Sequence, residues 1–248
     1  MSKEPKFINS EDDRKIAYHK SDGRAPTVIF CGGYMSDMEG TKATYLEETC
    51  GELGLSYIRF DYSGHGSSSE EFIDGTISSW RGDALAVVDQ LTEGPIIIVG
   101  SSMGGWIGLL VCLARKKRIH AFIGIAAAPD FTRELMWDRY SPEIREVLKR
   151  DGVYLEPSNY SEEPYKVSHS LIQDGENHIL LNGPIDLSCP VRLFHGLKDG
   201  DVPSETSARI ASKLVSDDVI ISYNKDGDHS LSSTSDLRRL KQALIELS

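Results

Sequence analysis

Long hydrophobic runs are missing from this 248-residue chain. No apolar stretch approaches the roughly 18 residues that a spanning helix needs, so no membrane span is expected. The first residues, Met1-Ser2-Lys3-Glu4-Pro5-Lys6, lead into no apolar segment of the secretory kind, and they are too acidic and too poor in arginine for a mitochondrial leader. A cytoplasmic location is the expectation. Cysteine is scarce: Cys31, Cys50, Cys112 and Cys189 are widely spaced with no CxxC pair, which excludes a disulfide framework and the usual zinc knots and predicts reduced thiols in an intracellular protein. Positive charge is in deficit, with 27 Lys and Arg against 38 Asp and Glu and a net charge of −11. That balance argues against nucleic acid as the main partner, because binding phosphates needs a basic surface. The densest basic cluster, Arg115-Lys116-Lys117-Arg118, follows a helical stretch and reads as a solvated helix end facing the negative pole of the dipole. Internal repeats and low-complexity tracts are absent. Asn159-Tyr160-Ser161 matches a glycosylation acceptor but has no secretory leader behind it, and it reads as a chance match.

What is present is ordinary globular material: 40% of the residues are hydrophobic, enough in a chain of this length to bury a full core without staples. Short apolar runs alternate with helix-like stretches. Arg14 to His19, Thr27 to Cys31, Ser56 to Phe60, Pro95 to Val99, Ala121 to Ala127, Val191 to Phe194 and Val219 to Tyr223 read as strands. Thr41 to Leu53, Ser79 to Leu91, Met103 to Ala114, Ser204 to Leu214 and Thr234 to Leu247 read as helices. The run Pro95-Ile96-Ile97-Ile98-Val99 does not alternate, as suits a parallel strand covered on both faces. The pattern predicts one α/β domain over residues 1–248, with a mostly parallel sheet and helices on both faces. Residues 129–187 break the alternation with scattered aromatics and a helical piece from Pro142 to Arg150, and they read as a lid inserted over the strand ends where ligands gather.

The chemistry is carried by Gly100-Ser101-Ser102-Met103-Gly104. Its spacing is G-x-S-x-G with Ser102 at the centre, and it follows a buried strand and opens a helix. A serine on so sharp a turn adopts a strained backbone, and the residues two before and two after it must be small. The turn lifts the hydroxyl to a helix N-terminus, where amides favour developing negative charge. A serine hydroxyl needs a base, and the base needs an orienting acid. The order Ser, acid, His, each after a strand, selects Asp199 in His195-Gly196-Leu197-Lys198-Asp199-Gly200-Asp201-Val202-Pro203, with Asp201 as the alternative, and His229 in Asp226-Gly227-Asp228-His229-Ser230. The remaining histidines have blander readings: His195 as structural, His120 as a surface residue, and His65, in the turn Gly64-His65-Gly66, as a shaper of the pocket. Two backbone amides must hold the oxyanion, and Met103 and Tyr34, the latter beside Gly32-Gly33, are assigned to it.

Taken together, Gly32-Gly33-Tyr34, the Ser102 elbow, Asp199 before Val202-Pro203, and Asp228-His229 make the chain resemble the α/β-hydrolase superfamily. Gly40-Thr41-Lys42-Ala43, Arg59-Phe60-Asp61-Tyr62-Ser63-Gly64, Gly104-Gly105-Trp106, Tyr160-Ser161-Glu162-Glu163 and His195-Gly196-Leu197-Lys198-Asp199 bring it closer to the acyl-protein thioesterase branch that includes mitochondrial α/β-hydrolase-domain protein ten. The resemblance implies cleavage of S-acyl thioesters and ester-linked acyl glucuronides, with Ser102, Asp199 and His229 as the triad. The start of the chain departs from that branch in lacking a targeting extension, as in a bacterial cytoplasmic relative.

The expected function is therefore a serine hydrolase of small acyl esters or S-acylated thiols, with no metal or cofactor. Phe131, Leu135, Met136 and Trp137 either line an acyl pocket or, at such spacing, belong equally well to the core. A non-catalytic binding protein on the same fold, or a carbon–carbon hydrolase or perhydrolase with the same triad, remains open. Oligomeric state is not legible.

Overall fold

The computed structural model of the protein describes residues 4–156 and 164–248. The glycosylation-like triplet at Asn159 and the Tyr160–Glu163 segment of the resemblance lie outside them.

The chain opens with an antiparallel pair, β1 (Lys6–Asn9) and β2 (Lys15–Ser21), and continues through β3 (Arg24–Cys31), α1 (Thr41–Leu53), β4 (Leu55–Phe60), α2 (Ile77–Leu91), β5 (Ile96–Ser101), α3 (Met103–Ala114) and β6 (Ile119–Ile125). The inserted segment then holds a π-helical turn (Thr132–Trp137), α4 (Pro142–Asp151), a hairpin of β7 (Val153–Glu156) and β8 (Tyr165–Ser168), and α5 (His169–Gly175). The main sheet resumes with β9 (Val191–Gly196), α6 (Glu205–Lys213), β10 (Val219–Asn224) and α7 (Thr234–Leu247).

Among the described residues, eight strands form one sheet in the order β1-β2-β4-β3-β5-β6-β9-β10. From β4 through β10 all neighbours run parallel. The side chains of β5 alternate between two cores. Ile96 and Ile98 join the core covered by α2, α3 and α6, and Ile97 and Val99 join the core covered by α1 and α7. This two-sided burial is why the run shows no polar alternation. The strand order reverses at β3, with β4 on one side and β5 on the other, and the crevice at their C-terminal ends is the natural ligand position. Cys31 pairs with Gly100 and Ser101 with Ile125, so three strands end together at the serine turn.

Four local readings differ from the expectation. The edge strand β1 is largely exposed and so carries little apolar signal. Helix α2 starts two residues earlier, at Ile77, because Thr76 and Ser79 form a reciprocal cap. Strand β6 ends at Ile125 rather than Ala127, since the chain turns there through Ala126 with φ of 45°. His120 is exposed, as expected, but sits within β6 rather than before it. The basic cluster after α3 is held by ordinary surface pairing: Arg115 with Asp89, Lys116 with Asp186, and Arg118 on the Thr92 carbonyl.

The insertion is stapled shut at its base by Asp130. Its two carboxylate oxygens accept from the Leu180 and Leu181 amides, each at 2.8 Å, across some fifty residues of chain. The inserted elements also have a small core of their own, built on Tyr140, Leu148, Val167 and Ile172.

Candidate active site

The serine turn is built by close packing of backbone. Ser102 has φ of 54° and ψ of −120°, a conformation that L residues rarely adopt. Its amide donates to the Ile125 carbonyl at 2.9 Å, and its own carbonyl accepts from Ala128 at 3.1 Å, tying the turn to the end of β6. Glycine is required around it for want of space. A Cβ on Gly100 would overlap the Gly104 carbonyl, and one on Gly104 would overlap the carbonyl oxygens of Cys31 and Gly32. The helix that follows is buried from Met103 to Cys112, so the turn rests on a rigid element.

The structure brings the three predicted side chains into one line. The Ser102 Oγ lies 3.0 Å from His229 Nε2, and His229 Nδ1 lies 2.8 Å from Asp199 Oδ2. A carboxylate facing Nδ1 places the proton on that nitrogen, so Nε2 accepts from the serine hydroxyl. The Asp199 side chain is fully buried and that of His229 is half-buried. Asp199 Oδ1 accepts from the amides of Asp201 and Val202, each at 2.9 Å. Burial alone would raise the Asp199 carboxyl; the imidazoles of His195 and His229 and the Val202 amide outweigh it and hold the group well below the usual carboxylate range.

Asp199, Asp201 and His229 each offer an atom within 4.8 Å of the others, the only arrangement of metal-ligand spacing among the described residues. A cation there would have to displace the Asp199–His229 hydrogen bond and the two amides on Asp199.

Two cavities meet at Ser102. The larger, about 430 Å³, is walled by Phe131, Leu135, Met136 and Val202, with Arg139 and Glu156 also on its lining. The smaller, about 190 Å³, lies between Ser36, Thr41, Lys42 and Ser230. Tyr34, Ser102 and His229 border both. Met103 is the first residue of α3, where an amide has no intrahelical acceptor, and Tyr34 sits in the loop after β3. Among the described residues neither amide finds a protein acceptor.

The structure decides two placements that the sequence leaves open. Trp137 does not line the cavity. It turns into the insertion, against His169 and beneath the cations Arg145 and Lys149. His65 does not border the cavities either. It is buried behind Tyr34 among Tyr62, Phe72 and Trp80, and burial pushes its imidazole down to about 4. Sequence reasoning missed Lys42, whose ammonium donates to the Ser230 carbonyl at 2.6 Å and so anchors the loop that carries His229. The signal available was the Gly40-Thr41-Lys42-Ala43 segment, noted only for its likeness to a family.

A serine on a strained turn at the end of the fifth strand, within a sheet of this order, defines the class. Residues 28–233 match the profile of the alpha/beta hydrolase family, and the chain belongs to that family and is a hydrolase. It is 42% identical over 242 residues to the human (Homo sapiens) palmitoyl-protein thioesterase ABHD10, mitochondrial, a match covering 97% of this chain and 79% of that protein. Two solved structures are also similar. A putative hydrolase from Agrobacterium vitis S4 superposes with a TM-score of 0.95 at 39% identity, covering 98% of each chain. The mouse alpha/beta hydrolase domain-containing protein 10 superposes with a TM-score of 0.91 at 38% identity, covering 99% of this chain and 98% of that one. The naming of the human relative as mitochondrial, and of its Bos taurus counterpart at 40% identity, overturns the cytoplasmic location expected from the start of the chain. No helix among the described residues is long and apolar enough to cross a membrane.

Proposed function

We propose that the protein is a serine hydrolase of carboxylic esters and thioesters, of the acyl-protein thioesterase kind, working through an acyl-enzyme on Ser102. The observation that carries this reading is the continuous line from Ser102 Oγ through His229 to Asp199, at 3.0 and 2.8 Å. His229 Nε2 takes the hydroxyl proton as Oγ attacks the acyl carbonyl. The carbonyl oxygen becomes an oxyanion held by the Met103 and Tyr34 amides. As the carbon–sulfur or carbon–oxygen bond breaks, Nε2 delivers that proton to the leaving thiol or alcohol. Water then enters, gives a proton to the same nitrogen and attacks the acyl carbon; as the bond from that carbon to Oγ breaks, Nε2 returns the proton to Ser102 and the acid is freed. Asp199 keeps the imidazole in the working tautomer and stabilises its charged form.

The larger cavity suits the acyl chain, because Phe131, Leu135, Met136 and Val202 offer it apolar walls. We assign residues 129–187 to a lid within a single domain. Its Phe131 and Tyr165 rings pack on the Tyr34 ring, at 5.8 and 6.3 Å, so the roof of the pocket rests on the loop that carries one oxyanion donor. The name of the human relative, a palmitoyl-protein thioesterase, supports a thioester as substrate.

The test is a rate series over acyl thioesters of increasing chain length with matched oxygen esters. Turnover is expected to rise with chain length until the cavity is filled, and His229→Ala is expected to lower kcat by at least 10³-fold. A protein that binds these acyl compounds without turning any of them over is a binding protein, and the reading fails.

A further inference from the structure

His195 is the buried titratable group beside the site that the steps above leave without a role. It stands on β9 and has no solvent exposure. Its Nε2 lies 3.1 Å from the Val202 carbonyl and 3.2 Å from Asp199 Oδ2. Both neighbours are acceptors, so Nε2 carries the proton. Nδ1 is then a lone pair, and it accepts from the Ser207 hydroxyl on α6 at 2.8 Å. Asp199 Oδ2 is the same atom that accepts from His229 Nδ1. One carboxylate oxygen therefore faces two imidazole N–H groups, one from the proposed base and one from a ring locked by α6 and by the Val202 carbonyl.

We propose that His195 is a positioning residue, clamping Asp199 and sharing its Oδ2 with His229, so that the base is held in register and the charge on Oδ2 is divided between two N–H groups. This rests on the reading of His229 as the base. An N–H dipole 3.2 Å from Oδ2 neutralises part of the negative charge that would otherwise draw a proton onto His229. The other charged groups facing the pair are Asp201 from the same loop, Asp228 beside His229, Lys42 from α1 through Ser230, and Arg139 and Glu156 across the cavity. At the mouth of the loops Lys198 is paired with Asp226 at 2.6 Å. Within this set His195 is the group that approaches Oδ2 alongside His229.

The sign follows. Without the His195 N–H, Oδ2 keeps more charge, the imidazolium of His229 is favoured, and the base stays protonated to higher pH. In His195→Phe the acid limb of the kcat/KM profile is expected to move up by about half to one pH unit, with kcat lower by about tenfold. His195→Gln, whose amide reaches the same place, is expected to move the limb back. Ser207→Ala, which only loosens the ring, is expected to move it the same way by less and serves as the probe if His195→Phe does not fold. Titration of the His229 ring by NMR reads the same displacement without turnover. A displaced NMR titration in a protein that hydrolyses nothing sustains His195 and sinks the serine hydrolase reading. Folded variants that lose rate while limb and titration stay in place overturn the proposal and leave that reading intact.

Discussion

Ser102→Ala is expected to lower kcat for acyl thioesters and esters by about 10⁵- to 10⁶-fold, the scale on which removing the nucleophile of such a unit acts. The two nearest candidates, Cys31 and Ser101, do not replace it. Cys31, at the end of β3, is buried, and burial pushes its thiol up to about 12, so it supplies no thiolate at neutral pH. Ser101, beside Ser102, is buried and is not on the lining of the larger cavity. The Ser102 hydroxyl has the His229 ring as its hydrogen-bond partner, and its backbone bonds survive the substitution, so stability should stay within about 1 kcal/mol. Rates of the variant, measured beside its thermal unfolding, separate loss of chemistry from loss of fold.

Gly104→Ala is the second large effect, and it acts through backbone. The first turn of α3 is pressed against the end of β3, with the Gly104 Cα facing the carbonyls of Cys31 and Gly32. A methyl group there must drive apart the two segments that carry Ser102 and Met103 on one side and Tyr34 on the other. Neither segment has a flexible side chain at the contact that can give way. The expected result is a loss of about 3 kcal/mol in stability and at least a 100-fold fall in kcat/KM, since small misplacements of reacting groups have effects of that size. Gly51→Ala, within α1 where an added Cβ meets nothing, should instead stabilise by about 0.5–1 kcal/mol and leave the rate alone. Denaturant unfolding of both variants beside their kinetics checks the contrast.

What the sequence disclosed divides along a physical line. The sheet, its order of strands and helices, and the Ser102 turn were legible because each rests on local pattern: unbroken β-branched runs, amphipathic stretches and glycines at fixed offsets. Asp199 and His229 were legible because they follow strands in a known order, and the structure brings both to Ser102. Asp130 was not legible, since its partners lie some fifty residues away and one carboxylate looks like another in sequence. The place of Trp137 was not legible for a related reason: on the π-helical turn it shares spacing with Leu135 and Met136 yet faces the inner core of the insertion. His195 differs from a structural histidine only in what its ring touches, which no spacing encodes. The cytoplasmic expectation rested on an absence at the start of the chain, and absence is a weak guide to location.

The most direct measurement is mass spectrometry of the intact protein after exposure to a fluorophosphonate, followed by mapping of the labelled peptide. One adduct per chain is expected on Ser102, abolished in Ser102→Ala and slowed many-fold in His229→Ala. A folded protein that takes up no label, or one that carries it on a residue other than Ser102, would contradict it.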